Sequence, residues 1–129
     1  MAKKILIIDD DSQVTTYLKT LLEDNSYEVV TAQNGNEGLE KAKKEMPDAI
    51  SFDLLMPEKT GIKLYRELRN DKALKCIPII IVTGIASQCQ AFAEFKTFIA
   101  KRKVQGPEAY LEKPINQDEY LAKVKEALR

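Results

Sequence analysis

The sequence of 129 residues contains no histidine and no tryptophan, and it has only two cysteines. Without imidazole the chain cannot form a Ser–His or Cys–His nucleophile, and a His-ligated zinc site is also excluded. Cys76 and Cys89 lack metal-ligand spacing, so we expect both to be reduced thiols in a cytoplasmic protein. Any acid–base or metal chemistry must therefore rest on carboxylates, hydroxyls and lysine.

An excess of one charge is also missing, because Lys+Arg and Asp+Glu both number 20. The chain therefore has no electrostatic footprint for nucleic acid or a membrane surface. Its first apolar run, Ile5–Ile8, is too short for a signal peptide or a membrane span. With 44% hydrophobic and 31% charged residues, we expect residues 1–129 to form a single globular domain in the cytoplasm.

Short apolar runs alternate along the chain with segments of helical periodicity. The runs are rich in β-branched residues and predict five strands: Lys4–Asp9, Tyr27–Ala32, Asp48–Asp53, Pro78–Thr83 and Ala109–Glu112. Five apolar stripes predict helices: Val14, Leu18, Leu21 and Leu22; Leu39, Ala42 and Met46; Ile62, Tyr65 and Leu68; Phe92, Phe95 and Ile99; Leu121, Val124 and Leu128. The alternation predicts a three-layer α/β domain, with helices on both faces of a parallel sheet.

Polar residues follow four of the predicted strands. The first strand runs into Asp9, Asp10 and Asp11, the third ends at Asp53, the fourth at Thr83 and Gly84, and the fifth precedes Lys113. In open α/β sheets ligands bind at the carboxyl ends of the strands, so we expect these residues to converge at one edge. Neighbouring carboxylates repel by about 4 kcal/mol per close pair in a surface-like dielectric, so water or a bound cation must compensate them.

The convergent residues predict phosphoryl chemistry with a magnesium ion. Asp9, Asp10 and Asp53 together with Lys113 carry a formal charge of −2, which one Mg²⁺ ion would neutralise. Asp53 could then attack a phosphorus centre and become an acyl phosphate. Lys113, the Thr83 hydroxyl and the Gly84 N–H would hold the equatorial oxygens.

Each of these residues also has a simpler interpretation when taken alone. Asp11 or Ser12 fits the N-cap of the first helix. Asp9 and Asp10 are equally compatible with a solvated loop, and an acid such as Asp53 at a strand end is commonplace. The argument for a site rests on the combination, because all four strand ends carry compatible chemistry.

Four segments of the chain resemble the receiver domain of bacterial two-component response regulators. They are ILIIDDD (Ile5–Asp11), DLLMPEKTG (Asp53–Gly61), IIIVTG (Ile79–Gly84) and GPEAYLEKP (Gly106–Pro114). The resemblance covers essentially the whole chain. It implies a flavodoxin-like doubly wound sheet of five parallel strands in the order 2-1-3-4-5, with five helices.

The resemblance also implies the role of each site residue. Asp53 would accept a phosphoryl group from a phosphohistidine on a partner histidine kinase or phosphotransfer protein. Asp10, Asp53 and the backbone carbonyl of Leu55 would hold Mg²⁺ directly, with Asp9 supporting it. Thr83 and Tyr110 would form the switch, Gly84 would contact the phosphate, and Lys113 would pair with it.

The resemblance further implies a signalling domain rather than an enzyme. Phosphorylation would change the surface formed by the fourth helix, fifth strand and fifth helix, which a downstream protein target would read. We expect no direct nucleic-acid binding, no membrane insertion, and a monomer or weak dimer. The chain departs from the family in the long segment 88–105, which is interpreted as an extended fourth helix or as a partner-specific surface around Phe98.

Two other functions compete with this prediction. A haloacid-dehalogenase-like phosphatase also places D-x-D after its first strand, but no second acidic motif follows Lys113 here. A receiver fold that signals without phosphorylation needs none of Asp53, Thr83 or Lys113. Since the chain stops where the fifth helix ends, we expect no output domain in it. The sequence is compatible with a stand-alone receiver that relays by protein contact and with the N-terminal domain of a longer regulator.

Overall fold

The computed structural model describes residues 2–53, 61–83, 96–97, 100–101, 106–112 and 115–128. Its elements follow one another as β1 (Lys4–Ile8), α1 (Ser12–Asp24), β2 (Glu28–Ala32), α2 (Gly35–Glu45), β3 (Ala49–Asp53), α3 (Gly61–Asn70), β4 (Ile79–Thr83), β5 (Ala109–Glu112) and a C-terminal helix (Gln117–Ala127). All strand pairs are parallel, and the order across the sheet is β2-β1-β3-β4-β5. The predicted α/β fold and its strand order are confirmed.

The strand bounds agree with the prediction to within one residue. The prediction was one residue too long for β1, β2, β3 and β4, whereas Ala109–Glu112 is found as expected. Asp9 lies just past β1, although its backbone N–H still donates to Ala32 O at 3.1 Å. The backbone hydrogen bonding between β1 and β2 therefore continues for one residue past β1, into the turn that carries the acidic side chains.

The sheet is covered on both faces, which explains why its central strands read as unbroken apolar runs. In β1, Ile5 and Ile7 pack toward α1 and the C-terminal helix, where Leu18, Leu22, Tyr120 and Val124 are buried. The alternate residues Leu6 and Ile8 pack toward α2 and α3, where Ala42, Leu64, Tyr65 and Leu68 are buried. Two cores on opposite faces make the three predicted layers.

Helix α2 contacts the sheet at a position where only glycine fits. A Cβ atom added to Gly38 would lie 2.8 Å from Ile8 Cγ1 and 3.2 Å from Ile8 Cγ2. Ile8 is fully buried and directly precedes Asp9, so it cannot move without disturbing the strand end. The missing side chain lets α2 approach β1 closely.

One apolar residue was assigned wrongly. Met46 was predicted on the buried stripe of the second helix, but it is 48% exposed and caps the C-terminus of α2. Its backbone is left-handed, with φ of 46° and ψ of 62°, and its N–H donates to Ala42 O. Helices commonly end in this conformation, which turns the side chain at the cap away from the buried stripe.

The described part of the chain holds four helices with defined bounds where five were expected. Residues 96–97 and 100–101, within the predicted fourth helix, are also helical and exposed. Phe92, Phe95, Phe98 and Ile99 lie outside the described residues, as does Cys89. Cys76 is a free, exposed cysteine, as expected.

Candidate functional site

Three aspartates lie together at the carboxyl edge of the sheet. In the register of β1 and β3, Ile8 pairs with Phe52, so the residues that follow, Asp9 and Asp53, reach the same level. Asp10 follows in the turn. Carboxylate oxygens of the three residues lie within 4.8 Å of one another. We predicted from their positions after two strands that these acids converge at one edge of the sheet, and in the structure they do.

The three carboxylates differ in their exposure to solvent. Asp9 is 3% exposed and Asp53 is 7% exposed, whereas Asp10 lies at the surface. A buried ionised carboxylate needs a partner or a cation to offset its lost hydration. The cluster thus contains two nearly buried acids beside a third one that solvent reaches.

Hydrogen bonds hold the turn after β1 and orient Asp9 within the acidic cluster. Asp9 Oδ1 accepts from Asp11 N at 2.9 Å, and Asp11 Oδ1 accepts from Gln13 N at 2.9 Å. Asp11 is therefore the N-cap of α1, which decides between the two residues proposed for that position. The positive end of the α1 dipole faces the cluster and favours negative charge there.

The donor set fits a hard divalent cation. Mg²⁺ prefers oxygen ligands at close to 2.1 Å, so two direct ligands lie at most about 4.2 Å apart. The spacing of up to 4.8 Å leaves room for direct contacts from some of these carboxylates and a water-mediated contact from another. Among the described residues, this is the group of acidic side chains that could hold a metal ion.

Other predicted site residues are placed only in part. Thr83 ends β4, paired with Glu112 at the end of β5, and β3 places Asp53 beside Val82. The backbone of Thr83 thus lies one residue beyond the level of Asp53. The structure describes this backbone but not the Thr83 side chain. Leu55, Gly84 and Lys113 lie outside the described residues.

Tyr110, the predicted aromatic switch, lies in the middle of β5. It pairs with Ile81 of β4, and its side chain is 37% exposed. Its neighbours Ala109 and Leu111 are buried on the α1 side of the sheet, so Tyr110 stands on the opposite face. Partial burial raises the pKa of its hydroxyl.

Sequence reasoning missed two buried polar residues near the sheet. Arg69 in the last turn of α3 is 7% exposed, and the Tyr120 hydroxyl is buried without a hydrogen-bond partner within the described structure. Burial raises the pKa of Tyr120 to about 12. Arg69 was detectable, because it follows Tyr65 by four residues on the apolar stripe of α3.

The fold and the acidic edge define a class of protein, the flavodoxin-like α/β domains with a carboxylate cluster at a strand-order switch. Residues 5–125 match the family model described as the response regulator receiver domain. The chain belongs to this family. It is a receiver domain of two-component systems, whose members act as phosphoacceptors in signalling.

Relatives of known sequence and structure agree with this assignment. The chain is 36% identical to the alkaline phosphatase synthesis transcriptional regulatory protein PhoP of Bacillus subtilis, over 100% of the chain and 50% of PhoP. It is 30% identical to the polar-differentiation response regulator DivK of Brucella anthropi, over 99% of the chain and 98% of DivK. The chain thus spans about half the length of the first relative and nearly all of the second.

A solved structure shows the same likeness in three dimensions. A CheY-like response regulator receiver domain protein from Methanospirillum hungatei superimposes with a TM-score of 0.84 at 34% identity, covering 99% of this chain and 94% of that one. In the part of the chain that the structure describes, no helix is both long and apolar enough to cross a membrane.

Proposed function

We propose that Asp53 accepts a phosphoryl group from a phosphohistidine on a partner histidine kinase or phosphotransfer protein. The observation that supports this most strongly is the cluster of Asp9, Asp10 and Asp53, with carboxylate oxygens within 4.8 Å. Asp53 ends the central strand of the sheet and keeps 7% of its surface exposed, which leaves a path for a donor. The absence of histidine requires the donor to be another molecule.

In the proposed reaction a carboxylate oxygen of Asp53 attacks the phosphorus of the donor. The new O–P bond forms as the P–N bond to imidazole breaks, and its electron pair leaves on the ring nitrogen, which takes a proton from solvent. The product on this chain is an acyl phosphate, whose phosphoryl group carries roughly −1.5 to −2 units of charge at neutral pH in place of the charge of the carboxylate.

The neighbouring acids would hold the cation that this reaction requires. Asp10 and Asp53 would bind Mg²⁺ directly with the backbone carbonyl of Leu55, and Asp9 would support it from its buried position. When bound, Mg²⁺ would neutralise the carboxylates and stabilise negative charge developing on the phosphoryl oxygens. Asp9 is already oriented for that role by the Asp11 N–H.

The ends of the outer strands would complete the site and carry the switch. The Thr83 hydroxyl, the Gly84 N–H and the Lys113 ammonium would contact the phosphoryl oxygens. Moving the Thr83 hydroxyl toward the phosphate would open space for the half-exposed ring of Tyr110, and so favour its inward position. The surface around β5 and the C-terminal helix would then differ between the two states.

We further propose that residues 1–129 act as one cytoplasmic signalling domain that relays by protein contact. Its chemistry would be limited to its own phosphorylation and dephosphorylation, so it would not be an enzyme in the sense of turning over a free substrate. A downstream protein would be the target, with no direct nucleic-acid contact, and the chain would be a monomer or weak dimer. Membership of the receiver family leaves no support for the phosphatase alternative.

The test is intact-mass spectrometry after incubation with acetyl phosphate, with and without Mg²⁺. We expect a gain of one phosphoryl group that depends on Mg²⁺. The variant Asp53→Asn should gain none, whereas Asp9→Asn should need more Mg²⁺ for the same gain.

Asp11→Asn is the matched control, because it removes a nearby charge and keeps a side chain that caps α1 equally well. It should be phosphorylated like the wild type. If the wild type gains no phosphoryl group with any Mg²⁺ concentration, the phosphoacceptor proposal is wrong and a phosphorylation-independent receiver takes its place.

A further inference from the structure

Arg69 forms a buried hub at the edge of the sheet opposite the acidic cluster. Its side chain is 3% exposed. Nε donates to Tyr65 Oη at 3.1 Å, and Nη1 donates to the backbone carbonyls of Lys75 and Ile77 at 2.8 and 3.0 Å. Nη2 donates to Gly106 O at 3.3 Å and Glu108 Oε1 at 3.2 Å. Arginine has five N–H donors in a fixed fork, and each of them has an acceptor here.

Glu108 connects the Arg69 side chain to the start of β5. Its side chain is 23% exposed, and while Oε1 accepts from Arg69, Oε2 accepts from Ile79 N at 3.1 Å. The Glu108 backbone N–H also donates to Ile79 O at 2.8 Å. Glu108 is therefore tied to the first residue of β4 by both its backbone and its side chain, and Arg69 holds the carboxylate in that position.

Strand β5 is the shortest strand of the sheet and one of its two edge strands. It lies at the edge, it has four residues, and β4 is its neighbour. A one-residue slip of a strand turns every side chain to the opposite face of the sheet. In β5 a slip would exchange Tyr110 with the buried Ala109 or Leu111 and would move Glu112 away from Thr83.

We propose that Arg69, acting through Glu108, is a positioning residue that sets the register of β5 and thereby places Tyr110 and the strand end beside Thr83. The two residues are separated by 39 positions in the chain. The contact between Arg69 and Glu108 lies at the amino end of β5, whereas the proposed phosphorylation takes place beyond its carboxyl end. The functional part of this inference rests on the proposed phosphoacceptor role.

Tyr110 lies on the same face of the sheet as the hub, because its neighbours Ala109 and Leu111 pack in the core on the opposite face, whereas Tyr65 packs in the core beneath α2 and α3. Burial raises the pKa of Tyr65 to about 12, the Arg69 guanidinium acts against that rise, and the Glu108 carboxylate and Tyr110 hydroxyl add smaller upward effects. The Arg69 guanidinium also lies 5.0 Å from the centre of the Tyr65 ring. The hub and the switch ring thus occupy one neighbourhood between α3 and β5.

The first arm of the test measures register directly by NMR in the full chain. In the wild type we expect backbone Overhauser contacts between Ile81 and Tyr110. In Arg69→Met these contacts should weaken or shift by one residue. The β5 amides should exchange with solvent about tenfold faster relative to the β3 amides, because the edge strand opens separately. A uniform change in β3 and β5 would mean that Arg69 only stabilises the fold, and would overturn the inference.

Two further variants keep this arm decisive. Glu108→Gln retains the size of the side chain but cannot accept from both Arg69 and Ile79, so it should reproduce the β5 effect even if Arg69→Met folds poorly. Arg66→Met is the matched control, since Arg66 lies one turn earlier on α3 with an exposed side chain. It should leave β5 exchange unchanged.

The second arm measures phosphorylation by acetyl phosphate at a temperature where every variant is folded. Arg69→Met and Glu108→Gln should lower the initial rate about tenfold through misplacement of the strand end. Their affinity for Mg²⁺ should stay within about twofold of the wild type, because the carboxylates lie on β1 and β3. A wild-type rate in both variants would overturn the positioning role. A wild type that is never phosphorylated would refute the proposed function, while the NMR arm would still decide the register.

Discussion

At the carboxyl edge of the sheet three aspartates lie together, whereas at the opposite edge acidic and basic side chains lie in pairs. There Lys4 Nζ lies 3.0 Å from Glu45 and 4.0 Å from Glu28, and the Lys4 N–H donates to Asp48 at 2.7 Å. Like charges raise the free energy of the folded state, and opposite charges lower it. The difference indicates that the paired edge stabilises the fold, whereas the acidic edge, which the proposed function uses, raises the free energy of the folded state.

The largest loss of stability should come from removing the buried ion pair of Arg69 and Glu108 at this edge. Arg69→Met should lower the free energy of unfolding by about 3 kcal/mol, because it leaves the Glu108 carboxylate and several backbone carbonyls without their donor. Urea denaturation measures this. The exposed Arg66→Met should change stability by less than about 0.5 kcal/mol. Equal effects of the two variants would remove the distinction between a buried hub and a surface charge.

A slightly smaller loss should follow from disturbing the packing beneath the acidic edge. Gly38→Ala should lower the free energy of unfolding by about 2 kcal/mol, because its Cβ would overlap the buried Ile8 side chain. Thermal denaturation followed by circular dichroism measures it. The glycine one turn earlier in the same helix, Gly35, provides a second site for the same substitution. A neutral Gly38→Ala would mean that the Ile8 side chain shifts to accept the added methyl group, and that this close packing does not require glycine.

A still smaller effect is expected from the half-buried pair of Lys4 and Glu45. The Glu45 carboxylate raises the pKa of Lys4, and the Lys4 ammonium lowers the pKa of Glu45 below its ordinary value of 4.5. The contribution of Glu45 is thus present above pH 4.5 and is lost as pH falls through its lowered pKa. That of Lys4 is present below its ordinary pKa of 10.5 and is lost as pH rises through its raised value.

Lys4→Met should therefore reduce stability slightly at neutral pH and leave it unchanged in acid, where Glu45 is protonated. Urea denaturation at neutral and acidic pH compares the two. A larger loss in acid than at neutral pH would contradict the pairing, as would a loss that 1 M salt does not reduce.

The smallest effect should be a gain at the cap of α2, near the paired edge. Met46 holds a left-handed backbone with φ of 46°, which glycine adopts at less cost. Met46→Gly should raise the free energy of unfolding by about 0.5 kcal/mol, since little packing is lost from a side chain that is 48% exposed. A loss of stability would show that the exposed Met46 side chain contributes more packing than its exposure indicates.

Local sequence pattern predicted the frame of the molecule well. The strands were visible because central parallel strands are buried on both faces and therefore read as β-branched runs, as in Ile79–Val82. The acidic cluster was visible because Asp9, Asp10 and Asp53 each follow or end such a run. Both features depend on neighbours in the chain, which a sequence displays directly.

The features that were missed depend on contacts between distant segments. The pairing of Arg69 with Glu108 spans 39 residues, and charge pattern alone does not distinguish it from a surface pair. Met46 shares the spacing of buried residues, but the backbone turns left-handed at that residue and exposes it. The contributions of Leu55, Gly84, Lys113 and the Thr83 side chain remain proposals, because they fall outside the described residues.

The most direct test of why like charges are gathered at one edge is urea denaturation of the wild type and Asp10→Asn, each with and without Mg²⁺. Without Mg²⁺ the variant should be more stable than the wild type by about 1 kcal/mol, because one close repulsion is removed. Mg²⁺ at ten times its dissociation constant should stabilise the wild type by about 1.4 kcal/mol and the variant by much less. A variant that is less stable without Mg²⁺, together with a wild type that does not respond to the ion, would contradict the account.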